Sequence, residues 1–175
     1  MRSNIVLTLT GTDRVGIVEE VTKVLLDLGA NVETSRMARL GGEFAMLMLV
    51  SVSPDEAAGL DAALETLVAR GYKMTTSETH QTYAAAHPGW VSYRVTVDGA
   101  DHEGIVHEIA SGLSRRGISI ESMETSVSQA PISGAPLFAM SAVVLVPPGL
   151  HEAEWLAALD DAGRQSNVDV QVSAL

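Results

Sequence analysis

The chain has 175 residues, 46% of them hydrophobic and 19% charged, a formal net charge of −11 at neutral pH and no cysteine. The acidic balance argues against direct contact with a nucleic-acid backbone, and the lack of cysteine excludes disulfides, thiolate metal centres and cysteine nucleophiles. The apolar stretch Ile5 to Leu9 is too short for a signal-peptide core, and no later run reaches the roughly 18 residues that span a bilayer, so a cytoplasmic globular protein without membrane contact is expected.

Ile5 to Thr10 is β-branched and apolar and reads as a strand, followed by a turn over Gly11 to Val15. The stripe Ile17, Val21, Val24, Leu25 and Leu28 then has helical spacing, and Gly29 stands where a left-handed C-terminal cap belongs. Ala30 to Arg39 and Glu43 to Val52 are expected strands, paired antiparallel across Gly41-Gly42, because two glycines permit the positive φ of a tight hairpin. Ser53-Pro54 offers an N-cap and a preorganised first helical residue for one helix with the stripe Leu60, Leu64, Leu67 and Val68, closed by Gly71; Tyr72 to Thr79 is the last strand.

The second half repeats this order. Gly11-Thr12-Asp13-Arg14-Val15-Gly16-Ile17-Val18 recurs as Gly99-Ala100-Asp101-His102-Glu103-Gly104-Ile105-Val106, an offset of 88. Phe44-Ala45-Met46 recurs as Phe138-Ala139-Met140 at an offset of 94, which places six extra residues in the Ser-, Pro- and Gly-rich stretch Ser128 to Pro136. The expected elements are strands at Trp90 to Val97, Ile118 to Ser128, Leu137 to Val146 and Asn167 to Ala174, with helices over Gly104 to Arg116 and Glu152 to Gly163. Two βαββαβ units imply an α+β fold: two ferredoxin-like domains in tandem, each an antiparallel sheet with both helices on one face. The domains are expected at 1–79 and 90–175, joined by a linker at 80–89.

The strand-to-helix turn of each copy is the candidate site. A helix N-terminus presents unpaired amides and a partial positive charge, and Gly16 and Gly104 leave its backbone bare to a carboxylate or phosphate. Asp13 and Asp101 lie three residues earlier, where a carboxylate can cap the helix, and Asn31 offers a donor and an acceptor expected near the same end of the sheet. Such a turn could hold an amino-acid zwitterion by both ends. Read as architecture alone, the aspartates are caps and the glycines are turn residues.

Asp13-Arg14-Val15-Gly16-Ile17-Val18 followed by Gly29-Ala30-Asn31-Val32-Glu33 closely resembles the ACT domain, whose commonest form of the first motif is Asp-Arg-Pro-Gly-Ile-Val. In the second copy His102-Glu103 replace the Arg-Pro pair, and Ser119 stands in place of Asn31. The resemblance implies a module that senses small molecules, mostly amino acids, and that associates side by side with the ligand at an interface against the glycine turn. Two ACT domains with no catalytic domain attached resemble the glycine-cleavage-system transcriptional repressor family, as do Ser35-Arg36-Met37-Ala38, Phe44 and the longer second-copy loop. That likeness implies glycine as ligand, a partner transcriptional regulator in place of direct DNA binding, and a homo-oligomer, a dimer first. The first-domain motif is also similar to the regulatory domain ahead of formyltetrahydrofolate deformylase and of some serine phosphatases. On this reading Asp13, Arg14, Val15, Gly16, Ile17, Val18 and Asn31, with Asp101, His102, Gly104, Ile105 and Val106, form the ligand sites.

Enzymatic signatures are missing. His102 and His107 are five apart, about 140° around a helix, whereas a zinc helix needs four. His80, His87 and His151 have no cysteine or acidic cluster beside them and read as solvated, and Ser111-Gly112-Leu113-Ser114 lacks the nucleophile-elbow spacing. Neither phosphate-cradling glycine motif occurs, so no nucleotide cofactor and no metal are expected. Met37, Met46, Met48, Met123 and Met140 read as core, while Arg36 and Arg39 read as solvated charge on opposite faces of an edge strand. The expected function is therefore a non-catalytic amino-acid sensor acting through a protein contact; the alternative is a ligand-free ACT module for interaction or dimerisation.

Overall fold

The computed structural model describes residues 2–79 and 86–175, so most of the expected linker, 80–85, lies outside the described residues. The chain divides into two compact units, residues 1–82 and 83–175. In the first, the elements are β1 (Ser3–Thr12), α1 (Ile17–Asp27), β2 (Asn31–Leu40), β3 (Glu43–Val52), α2 (Pro54–Ala57), α3 (Leu60–Val68) and β4 (Lys73–Thr79). The second has β5 (Val91–Ala100), α4 (Ile105–Ser114), β6 (Ser119–Gln129), β7 (Pro136–Val146), α5 (Glu152–Gln165) and β8 (Val168–Ala174). The sheets are antiparallel with orders β2-β3-β1-β4 and β6-β7-β5-β8, the ferredoxin-like arrangement expected from the repeat.

Alternation decides which face is covered. Ile5, Leu7 and Leu9 of β1 and Met46, Met48, Val50 and Val52 of β3 are buried against Ile17, Val21 and Leu25 of α1 and Leu60, Leu64 and Leu67 of α3. The second core repeats this with Val95, Val97, Met140 and Val144 beneath Ile105, Ile109, Leu113 and Leu159, closed by Trp155, whose ring meets Tyr93 edge-on at 5.1 Å. Val68 departs from its expected stripe and is half exposed, as is Met37; Met46, Met48 and Met140 are core, and Met123 packs at its margin.

Turn chemistry follows the expected signals. Gly29 (φ 62°) ends α1, with its amide bonded to Leu26 O and that of Ala30 to Leu25 O, both at 2.9 Å, and Gly41 and Gly42 (φ 59° and 88°) make the β2–β3 hairpin. The Ser53 side chain accepts the Glu56 amide at 3.3 Å and caps α2. The single helix expected after it is broken instead: the Gly59 amide turns back to Glu56 O at 3.0 Å, and α3 starts afresh beyond Gly59, whereas its counterpart α5 runs unbroken.

The strands β1 and β5 also run past their expected ends. Gly11 pairs with Phe44 and Gly99 with Phe138, so both are strand residues rather than turn residues. Their missing side chains admit a neighbour: a Cβ on Gly11 would lie 2.5 Å from a Tyr72 ring carbon, and one on Gly99 would lie 2.7 Å from Val168 Cγ1 and 3.1 Å from its Cα. Val168 is β-branched and its backbone is laddered to Gly99, so it cannot swing aside. Gly99→Ala should therefore destabilise the second unit by about 1–3 kcal/mol, read by denaturant unfolding of the full chain.

Candidate functional site

The turn from β1 to α1 is built around Gly16, which occupies the left-handed region at φ 95°, ψ −6° and stands at the N-cap of α1 without any side-chain cap. Gly104 repeats this ahead of α4 at φ 97°, ψ −14°, again uncapped. Neither glycine has an atom within 4 Å of where a Cβ would stand, so the space over each turn is open. Each helix therefore begins with bare amides and the positive end of its dipole facing that space. Ile17 and Ile105 are buried anchors below the turn, while Val15 is fully exposed and Val18 and Val106 partly so.

The expected capping role of Asp13 is not what the structure shows. Its carboxylate pairs with Arg39 Nε at 2.6 Å and its amide donates to Gly42 O at 3.0 Å, so Asp13 ties the turn to the β2–β3 hairpin. Arg39, expected as free surface charge, is the other half of that tie. Asp101 keeps the backbone contact, its amide donating to Pro136 O at 3.0 Å, adds its charge to the raising of His102, and does not cap α4.

Arg14 is likewise held within the protein. Its guanidinium donates Nη1 to Glu20 Oε1 at 2.7 Å and Nη2 to Glu20 Oε2 at 2.5 Å, and Nε donates to Tyr72 Oη at 2.6 Å. Arg70 reaches the same Glu20 oxygen at 2.5 Å. The bidentate bond from Arg14, reinforced by both positive charges, holds the Glu20 carboxyl below the usual carboxylate range, and the same bond raises Arg14 further above its ordinary value. In the second unit His102 does this work with backbone partners: Nε2 lies 2.6 Å from Ser166 O and Nδ1 2.9 Å from Glu103 O. Carbonyl oxygens only accept, so both bonds form together only when both nitrogens carry protons, and the Ser166 contact leads in raising the imidazole above its usual range.

Asn31 does not join these residues. Along the sheet Asn31 pairs with Ser51 and Ser51 with Asn4, whereas the turn follows Thr12, paired with Glu43 opposite Leu40. The expectation that Asn31 shares an end with Gly16 is thus corrected: α1 carries the chain back down the sheet, and about eight residues of strand at roughly 3.3 Å each separate Asn31 from the end of β1 that leads into the turn. Asn31 lines a depression of about 480 Å³ between α1 and β2, with Glu19, Lys23, Leu26 and Val32, and donates to Glu33 Oε1 at 3.0 Å.

The ACT domain pattern matches residues 3–75. An unknown protein from Galdieria sulphuraria has a crystal structure that superposes with a TM-score of 0.89 at 34% identity, over 100% of this chain and 99% of that one. A crystal structure described as a glycine cleavage system transcriptional repressor shares the fold, with a TM-score of 0.70 at 24% identity over 100% and 98% of the two chains. The glycine cleavage system transcriptional repressor of Escherichia coli (strain K12) is 47% identical over 49 residues, 28% of this chain and 26% of that protein. The match therefore spans about a quarter of the repressor's length. The first unit belongs to the ACT-domain family, and the second repeats its fold. The chain is related to the glycine cleavage repressors.

Two pH dependences follow from the turn anchors. A lowered carboxylate contributes stability above its unfolded pKa of about 4.3 and loses it as pH falls through the folded value. The stability gap between the native protein and Glu20→Gln should accordingly be steady above about pH 5 and shrink toward pH 3, as measured by urea unfolding. The His102 anchor has the opposite sign: its contribution is complete below about pH 6.5 and fades as pH rises through the higher folded pKa. The gap to His102→Ala should therefore be wider at pH 5.5 than at pH 8.5, about one unit below and two above the ordinary histidine value.

Proposed function

We propose that this chain is a non-catalytic amino-acid sensor made of two ACT domains, residues 1–79 and 90–175, that passes its ligand state to a protein partner. The observation that carries this reading is the receptive N-terminus of α1. Gly16 leaves it uncapped and open, and two neighbouring carboxylates that would repel an anion are neutralised, Asp13 by Arg39 and Glu20 by Arg14 and Arg70. In a chain of net charge −11 this local pairing matters, because among the described residues it leaves Glu19 as the one first-turn carboxylate of α1 without an ion pair to oppose the helix dipole.

In this mechanism the amides of Gly16, Ile17 and Val18 receive the ligand carboxylate. Asp13 is committed to Arg39, so the amino group is taken by an Asn31 supplied from a second copy of the chain, which makes the working form a homodimer. Gly104, Ile105 and Val106, flanked by Asp101 and His102, offer a second, weaker seat: there, among the described residues, Asp101 and Glu103 have no arginine partner, and His102 is the basic group beside them. The relationship to the glycine cleavage repressors makes glycine the first ligand to test, and a cytoplasmic transcriptional regulator the partner class, with no direct contact to nucleic acid. Ligand shifts the partner equilibrium only by binding one arrangement better than another, which a shared site would supply.

One observation favours a ligand-free dimerisation module instead: β2 is an edge strand exposed along nearly its whole length, a ready surface for pairing. Thermal unfolding with each of the twenty amino acids at millimolar concentration separates the readings. A sensor saturated at about 100 times Kd gains about 2.7 kcal/mol and several degrees of melting temperature. Gly16→Asp puts a negative side chain into the open seat, strains the left-handed φ of 95°, and should remove that gain in protein whose circular dichroism shows it folded. A response surviving in folded Gly16→Asp would displace the site, and no response to any amino acid would leave the module.

A further inference from the structure

The duplication provides an internal comparison at the corner of each sheet remote from the glycine turn. In the first unit this corner is closed by Arg2. Its guanidinium donates to Ser51 Oγ at 3.1 Å, Ser51 O at 2.7 Å and Gly29 O at 2.8 Å, and Ser51 Oγ donates to Glu33 Oε1 at 2.6 Å. Glu33 sits on a β-bulge, at the register shift between Val32 and Thr34. The serine hydrogen bond leads in lowering the Glu33 carboxyl, with Asn31 and the charge of Arg2 adding to it. The first unit thus links its bulge carboxylate to its own cation through Ser51.

The second unit repeats the backbone and omits the cation. Ser92, Leu145 and Ser119 stand in the register of Asn4, Ser51 and Asn31, the bulge recurs between Ile120 and Ser122, and Glu121 occupies it as Glu33 does. At the offset of 88, Arg2 becomes Trp90, and the serine that bonded Glu33 becomes Leu145. A cavity of about 440 Å³ opens here, walled by Trp90, His87, Pro88 and Leu145, with Ser92 and Glu121 as its polar groups. The Trp90 ring is braced edge-on by His87 at 4.7 Å, and among the described residues Glu121 has no hydrogen bond or ion pair. An indole beside an uncompensated carboxylate, with an aliphatic wall, is the chemistry that recognises an alkylated cation.

We infer that this cavity binds a small organic cation of the guanidinium or alkylammonium class, in the place that Arg2 fills in the first unit. The site is separate from the glycine turn and does not depend on the sensor reading, since it takes its ligand by the positive end. The shared chemistry has two sources, a free cation or an arginine side chain presented by another protein.

The full chain should be titrated with agmatine, which has a guanidinium and no carboxylate, and with the blocked tripeptide acetyl-Ala-Arg-Ala-amide. Binding is read by calorimetry and by the indole N–H signals of Trp90 and Trp155. Saturable binding is expected, with the Trp90 signal shifting and that of buried Trp155 unmoved. Glu121→Gln, an isosteric change at an exposed position, should weaken binding at least tenfold. Trp90→Arg, which puts a guanidinium where Arg2 stands in the first unit, should abolish it while the Trp155 signal stays native. Saturation by agmatine supports a free cation, and saturation by the tripeptide alone supports a presented side chain. Absence of saturation by either probe overturns the inference, as does equal affinity in Glu121→Gln or equally tight binding of uncharged pentanol.

Discussion

Each sheet of this protein buries only one face, and that constraint fixes where the chain can do chemistry. Leu7 and Leu9 of β1, like Val95 and Val97 of β5, can be covered only if the next helix folds back at once onto the same side. The reversal leaves four residues between β1 and α1, and a left-handed Gly16 completes it. A glycine at that N-cap has no side chain with which to cap the helix. The bare amides of the turn are therefore a consequence of one-sided burial before they are a binding device, and any ligand role has been laid over a folding requirement.

The two units hold this turn by different physics. Arg14, Glu20, Arg70 and Tyr72 form a charged, bidentate cluster in the first, whereas His102 reaches two backbone carbonyls in the second. Exposed ion pairs contribute little stability singly, and their larger effect here is on the local field. Arginine keeps its charge at any physiological pH, while the charge on His102 depends on the proton activity around it. Equal folds thus carry unequal electrostatics at the same place.

The repeat, the element order and the ferredoxin-like sheets were legible because alternation, stripes and turn glycines all pointed the same way. Gly11 misled as a turn residue, and β5 was ended short of Gly99, because composition cannot separate a glycine needed for φ from one needed for close approach, and the neighbours concerned, Tyr72 and Val168, lie far along the chain. The partners of Asp13 and Arg14 were hidden for a similar reason. Arg39 and Tyr72 reach them through the sheet, and sequence spacing carries no such register. Asn31 was placed at the wrong end by treating neighbours in sequence as neighbours in space, although the eleven residues of α1 return the chain to the start of β1. His87 was read as solvated, yet it packs on Trp90, a T-shaped ring contact that no motif announces.

Duplication makes differences between the units more telling than likenesses. Shared features, such as the left-handed glycines and the β-bulges with their glutamates, are what either copy needs to fold or has kept from a common plan. Departures at matched backbone positions are free of that obligation. Where Arg2 closes a corner and Trp90 leaves it open, the backbone is equivalent and the side chains alone differ. An unneutralised carboxylate stays hydrated at small cost on an exposed bulge, so Glu121 needs no partner for the fold to stand. That tolerance lets the second corner keep a cavity lined by Trp90 and Glu121, whereas Arg2 fills the matching corner of the first unit.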